Sequence, residues 1–309
     1  MSTLAKSSAP MSRALQRRED VAGYLFMLPS LIFFVGFVII PMFICIFTSL
    51  TASNMNDTTM FGQFVGLKNF AKLFEDKVFQ KGLVNTFIIV IVSVPTVCAF
   101  SLWVGSAIYK LNNVALSAFR CIFYLPVVTG SVAVTVVWRW MYDNYTGILN
   151  TALKGAGLIE QNINWLGDPK TALGCIIVIL FTTSVGQPIV LYVSALGNVD
   201  TTLVEAAEVD GATDMQVFWQ VKWPQMMPTT LYILVITTIN SFQCFALIQL
   251  LTQGGPSHAT DTVMYYIYYT AFKLTEQAGH FGYANAMGVV LAIFIGIMSA
   301  IQFRLAKEK

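Results

Sequence analysis

Charge is what this sequence has least of. Only 11% of its 309 residues are charged while 56% are apolar, against roughly a quarter charged in a soluble domain. A chain so poor in charge cannot clothe itself in a wettable surface, so lipid is its main solvent. The net charge of +2 supplies no basic field for nucleic acid, which is excluded as a partner. Histidine is nearly missing. His258 and His280 fall in one polar stretch with no cysteine or His-x-x-x-His neighbour, so no metal site is expected. The five cysteines, Cys45, Cys98, Cys121, Cys175 and Cys244, are odd in number, irregular in spacing and set in apolar runs. That excludes a disulfide framework and leaves buried free thiols. No Gly-Lys dipeptide occurs, hence no phosphate-cradling Walker A loop. No nucleophile–base pair lies in an apolar run, so no catalytic residue is assigned.

What is present is hydrophobic length. About 20 apolar residues cross the hydrocarbon core as a helix, and six stretches qualify, at 23–50, 83–110, 119–142, 171–197, 229–252 and 285–304. The reading is an all-α membrane protein with a polar tail at 1–22, a six-helix domain over 23–304 and a short tail at 305–309. Pro29 and Pro41 are expected to kink the first span, which reads as retained rather than as a cleaved leader. Lysine and arginine, clustered at both ends of the chain, favour cytoplasmic termini. Trp138, Trp140, Tyr142 and Tyr145 then form an outer aromatic anchor. A short amphipathic helix is expected at 147–158, closed by Trp165 and the turn Gly167-Asp168-Pro169. The outer segment 253–283 reads as a loop opened by the reversal signal Gly254-Gly255-Pro256.

The longest inner segment, 198–228, carries the strongest pattern. Asp200 or Thr201 can cap a helix. Ala206 and Ala207 give it a narrow face, and Gly211 suits a left-handed terminating turn. A second amphipathic stretch follows with Met215, Phe218, Trp219 and Val221, and Pro224 and Pro228 are expected to stop it. The segment reads as a helix–turn–helix along the cytoplasmic face. Resting on lipid headgroups and docking a protein both suit the pattern. Its acidic residues (Asp200, Glu205, Glu208, Asp210 and Asp214 against Lys222) favour the docked protein, since anionic leaflets attract bases.

Glu205-Ala206-Ala207, then three residues and Gly211, then nine residues and Val221-Lys222-Trp223-Pro224, resembles the EAA loop of ABC importer permeases. Val221 and Trp223 stand where that pattern has Ile and Leu. Phe64-Val65-Gly66-Leu67-Lys68-Asn69-Phe70, Tyr124-Leu125-Pro126 and Leu251-Thr252-Gln253-Gly254-Gly255-Pro256 resemble the carbohydrate-uptake branch, near the maltose and glycerol-3-phosphate importer permeases. The resemblance implies the type I ABC importer permease fold in a bacterial inner membrane. It implies that Glu205, Ala206, Ala207, Asp210, Gly211 and Pro224 form a coupling element seated on an ATPase. The implied partners are a second permease, two cytoplasmic ATPase subunits and an extracytoplasmic solute-binding protein. ATP and magnesium belong to the ATPase, and this chain binds no cofactor.

For the substrate path, polar side chains within spans are the candidates, because lipid disfavours them. Gln187, beside Gly186 and Pro188 at an expected break, with Tyr192 five residues on, is one group. Asn240, Phe242 and Gln243 are the other, Asn240 and Gln243 sharing a helical face. Amides and aromatic faces suit a neutral polyol; the same amides could instead bond neighbouring helices. An ABC importer of a non-sugar solute is the alternative. An ion-coupled carrier is disfavoured because no Asp or Glu lies mid-span.

Overall fold

The computed structural model describes residues 13–54, 62–273 and 280–307, with side chains described from residue 20 to 305 within those ranges. The basic side chains of the N-terminal tail and Lys307 and Lys309 therefore lie outside the described residues.

Helix α1 (Arg13–Phe34) passes without a break through a π-turn (Val35–Ile39) into α2 (Ile40–Thr48). Pro29 does not interrupt it. The wide turn lies just before Pro41, whose missing N–H and ring displace the i to i−4 ladder. Asp20–Thr48 makes one apolar 29-residue helix that is bound to the remainder mainly at its C-terminal end. There Asn285 donates to the Thr48 hydroxyl at 2.7 Å. A two-residue ladder of β1 (Thr51–Ala52) and β2 (Gln63–Phe64) follows, then α3 (Lys68–Leu73).

The mast of the molecule is α4 (Lys77–Ile108), capped by Asp76, whose Oδ1 accepts from the Val78 and Phe79 amides at 2.9 and 3.1 Å. α5 (Asn113–Val128) and α6 (Ser131–Met141) meet at 95°. The expected straight span at 119–142 is therefore two helices, broken at Thr129–Gly130. α7 (Ile148–Gly155) is the expected short amphipathic helix, held by buried Asn150, which accepts from Trp165 Nε1 at 3.1 Å. α8 (Ala172–Ser184) and α9 (Gly186–Gly197) are bent by 40° at Val185. Pro188 withholds the N–H that the Ser184 carbonyl would need.

α10 (Thr201–Val209) and α11 (Asp214–Val217) follow, and a second π-turn (Phe218–Lys222) runs directly into α12 (Trp223–Phe242). Neither Pro224 nor Pro228 stops the chain, contrary to expectation. Pro224 is the second residue of α12, and the π-turn before it absorbs the register change that its missing N–H imposes, as it does before Pro41. α13 (Ala246–Leu251) comes after a break at Gln243–Phe245. The expected outer loop at 253–283 contains α14 (Val263–Phe272), whose cap Thr262 accepts from the Tyr265 amide at 3.2 Å. Ten residues are too short to register as a span. The last helix, α15, is described over His280–Lys307 and so includes at least five residues before the expected 285.

Among the described residues, four helices are long and apolar enough to cross a membrane, or six if each bent pair counts as one span. The core gathers on α4, which packs against α9 and α12. Gly105 lets α4 approach so closely that an added Cβ would stand 2.9 Å from that of Tyr192, the small-residue contact that membrane helices favour. Tyr192 and Phe242 are fully buried here, Phe242 meeting Phe87 edge to face at 5.6 Å. Four of the cysteines are buried or half-buried free thiols. Cys121 is exposed on α5.

Candidate functional site

Two features face away from the core. The first is a platform built from 198–228. Asp200 caps α10, accepting from the Thr202 amide and hydroxyl at 2.9 and 2.7 Å. These bonds hold its carboxyl below the usual range. The helix closes at Gly211, at φ +84°. The Gly211 amide bonds Glu208 and the Ala212 amide bonds Ala207, at 3.1 and 3.0 Å, the paired closure that needs a left-handed residue. α11 opens with a capping box in which Thr213 and Gln216 satisfy each other. The Asp200 amide also donates to Gln225 at 3.1 Å, and Lys222 Nζ donates to the Tyr109 hydroxyl at 2.9 Å. The platform is thereby fastened to the lower ends of α4, α9 and α12 and continues without a joint into α12.

Glu205, Ala206, Asp210, Gly211 and Pro224 are exposed and Ala207 is half-buried. Val209 is 87% exposed, with Leu203, Met215 and Trp219 also open. These apolar side chains lie in the open beside the exposed carboxylates of Glu205, Glu208, Asp210 and Asp214. The Lys222–Tyr109 and Asp200–Gln225 bonds were not foreseen. The first joins residues 113 apart in sequence and leaves no local signature.

The second feature is a cleft on the face formed by α5, α9 and α12. Three adjoining cavities, of about 470, 130 and 460 Å³, make it up. Gln187 lines the first and second, and Asn240 the second and third, where Gln243 joins it. All three amides are exposed, and none bonds another helix among the described residues. They are therefore open to whatever covers this face. The cleft is also where the chain's helix breaks converge. Thr129 and Ser131 from the α5–α6 break, Ser184 and Gln187 from the α8–α9 break, and Gln243 and Phe245 from the α12–α13 break all line it. Irregular backbone at membrane depth is tolerated where it borders a cavity.

Tyr192 and Phe242 do not join the amides; they pack in the core. The helical period carried this information. Five residues at 100° each set Tyr192 about 140° from Gln187, and two set Phe242 about 160° from Asn240, whereas Asn240 and Gln243 lie about 60° apart. Counted along each helix, Arg120 lies about 10 Å from the start of α5, Gln187 about 15 Å from the end of α9 and Asn240 about 25 Å from the start of α12. Among the described residues no group of three or more potential metal ligands occurs.

Residues 20–308 match the family described as binding-protein-dependent transport system inner membrane component. The chain is 32% identical to the probable ABC transporter permease protein YesP of Bacillus subtilis (strain 168), over 93% of this chain and 91% of that one. It is 31% identical to the lactose transport system permease protein LacF of Rhizobium radiobacter, with 100% of both chains covered. In fold it is similar to a chain of a bacterial ABC transporter involved in the import of the acidic polysaccharide alginate. That match has a TM-score of 0.78 at 22% identity, and covers 96% of this chain and 99% of that one.

Proposed function

Since the chain belongs to the family of binding-protein-dependent transport system inner membrane components, we propose that it forms half of the path by which an ATP-driven importer carries a sugar or sugar-like solute into a bacterial cell. The carrying observation is the cleft: three helix breaks and three unbonded amides converge on one face of an otherwise apolar bundle. Amides left open to hydrocarbon are costly, so that face meets protein and water. A second, related permease covers it and supplies the other wall. Neutral amide donors and acceptors suit hydroxyl-rich, uncharged cargo.

The platform supplies the drive. Two cytoplasmic ATPase subunits seat the Glu205–Gly211 segment in a cleft, and their closure moves it. Because the platform continues into α12, which carries Asn240, displacement at its base reaches the cargo site without a hinge. Inverting a strongly biased two-state equilibrium takes about 5.5 kcal/mol of differential binding, within the scale of nucleotide binding to paired ATPases. ATP and magnesium act on those subunits, and an extracytoplasmic binding protein delivers the cargo. The relative named for lactose transport supports the sugar reading. A path without a lining carboxylate does not favour an ion-coupled carrier.

The test is uptake by membranes holding the full complex. Asn240→Leu should cut uptake of the sugar that the cognate binding protein titrates tightly by at least tenfold, while the complex still assembles. Undiminished uptake, or a binding protein that takes amino acids and no sugar, would overturn the reading.

A further inference from the structure

Arg120 is the one charged side chain among the residues lining the three cavities. Its Nε is buried with no hydrogen-bond partner, and its guanidinium has no ion pair among the described residues, where the single salt bridge is His258–Asp261. The residue lies seven positions into α5, about 10 Å along the axis from its start. It shares its cavity with Tyr124, Gln187 and Leu191, so it borders the cleft below the first amide. Guanidinium is charged at every physiological pH. Membrane-embedded basic groups pair with acids or carbonyls or meet water.

We propose that Arg120 is one half of a latch between subunits, pairing with a carboxylate of the second permease to close the inner mouth of the path and parting from it when the path opens to the cytoplasm. The inference rests on the reading above that a second permease covers the cleft. Charge complementarity selects that partner. The groups higher in the cleft are neutral amides matched to neutral cargo, and a cation facing them needs its counter-charge between cargoes as well as during them. A fixed carboxylate on the covering subunit meets that need at every stage of the cycle. The planar fork of Arg suits a bidentate carboxylate.

Zero-length cross-linking of the purified complex tests the contact. Arg120→Lys places an amine at the same site, and a water-soluble carbodiimide joins an amine to a carboxylate without a spacer. Mass spectrometry should find the peptide carrying position 120 joined to an Asp or Glu peptide of the second permease, in higher yield with the ATPases trapped closed. No cross-link, or a cross-link confined to this chain, would overturn the latch. Arg120→Gln should lower binding-protein-stimulated ATP hydrolysis about tenfold, within the usual range of coupling between sites, while Arg120→Lys retains most of it and both complexes remain assembled. Should Arg120→Gln keep full hydrolysis and lose uptake of acidic cargo alone, the guanidinium serves the cargo and the latch is wrong. A wild-type chain that purifies with no second permease sinks the earlier reading before any variant is compared.

Discussion

Gly211 sits in open space, with nothing within 4 Å of where a Cβ would be, yet at φ +84°. The constraint on it is conformational. An L-residue there costs on the order of 1–2 kcal/mol, and a β-branched one is a genuine outlier. Gly211→Val should therefore abolish most ATP-driven uptake while the protein still inserts and assembles; normal uptake would remove Gly211 from the coupling role. Asp76 is a second residue of consequence. Its Oδ2 accepts from the hydroxyls of Tyr283 and Tyr266 at 2.7 and 2.9 Å, tying the start of α4 to α14 and α15. Burial alone would raise its pKa, but the bonds from Tyr283, the Phe79 amide, Tyr266 and the Val78 amide outweigh that and hold the carboxyl below its ordinary value. A depressed folded pKa contributes stability that is complete above about 3.9, the unfolded value, and is lost as pH falls through the folded one. Melting of the solubilised protein should show that acid limb. Asp76→Asn should lower Tm at pH 7 and flatten the limb; identical curves for both proteins would refute the assignment. Neither tyrosine partner was legible in the sequence, since they lie 190 and 207 residues from Asp76. Gly211 was legible, because a glycine ending an Ala-rich stretch has a local cause.

At the scale of elements, the six apolar runs were readable because each exceeds the length that lipid demands. Their interruptions were readable only where chemistry is concentrated. Gly186-Gln187-Pro188 announces the α8–α9 break. Thr129–Gly130 lies inside a run whose average hydropathy is that of a straight span, so the 95° bend of α5 on α6 stays hidden from any window. The prolines at 224 and 228 misled for a different reason: proline ends a helix only if the turn before it cannot widen, and Phe218–Lys222 widens. The two helix-break glycines differ in a way that can be measured. A Cβ at Gly186 would run into the carbonyl of Phe123 on α5, whereas Gly130 has no neighbour within 4 Å. Gly186→Leu forces the two helices apart at a cost of about 1–3 kcal/mol or more, so Tm should fall by several degrees and the cleft should lose its geometry and its transport. Gly130→Ala should leave Tm within about a degree. Equal effects at both glycines would contradict the packing described.

In the whole molecule one continuous helix runs from the second half of the platform to the cleft. Sequence pattern located the platform, because its spacing is local, and named the cleft's amides by their cost in lipid. It could not tell which polar or aromatic residues face outward, and it placed core residues Tyr192 and Phe242 beside them. The central claim is that the exposed strip on α10 is gripped from the cytoplasm by a separate ATPase. Val209, at 87% exposure, reports on that directly. In a Cys121→Ser background, which removes the exposed thiol on α5, Val209→Cys should react with a membrane-impermeant maleimide in inside-out vesicles alone, and rebinding of the ATPase subunits should suppress the reaction. Labelling from the outer face of intact cells, or labelling that the ATPase leaves unchanged, would contradict the account.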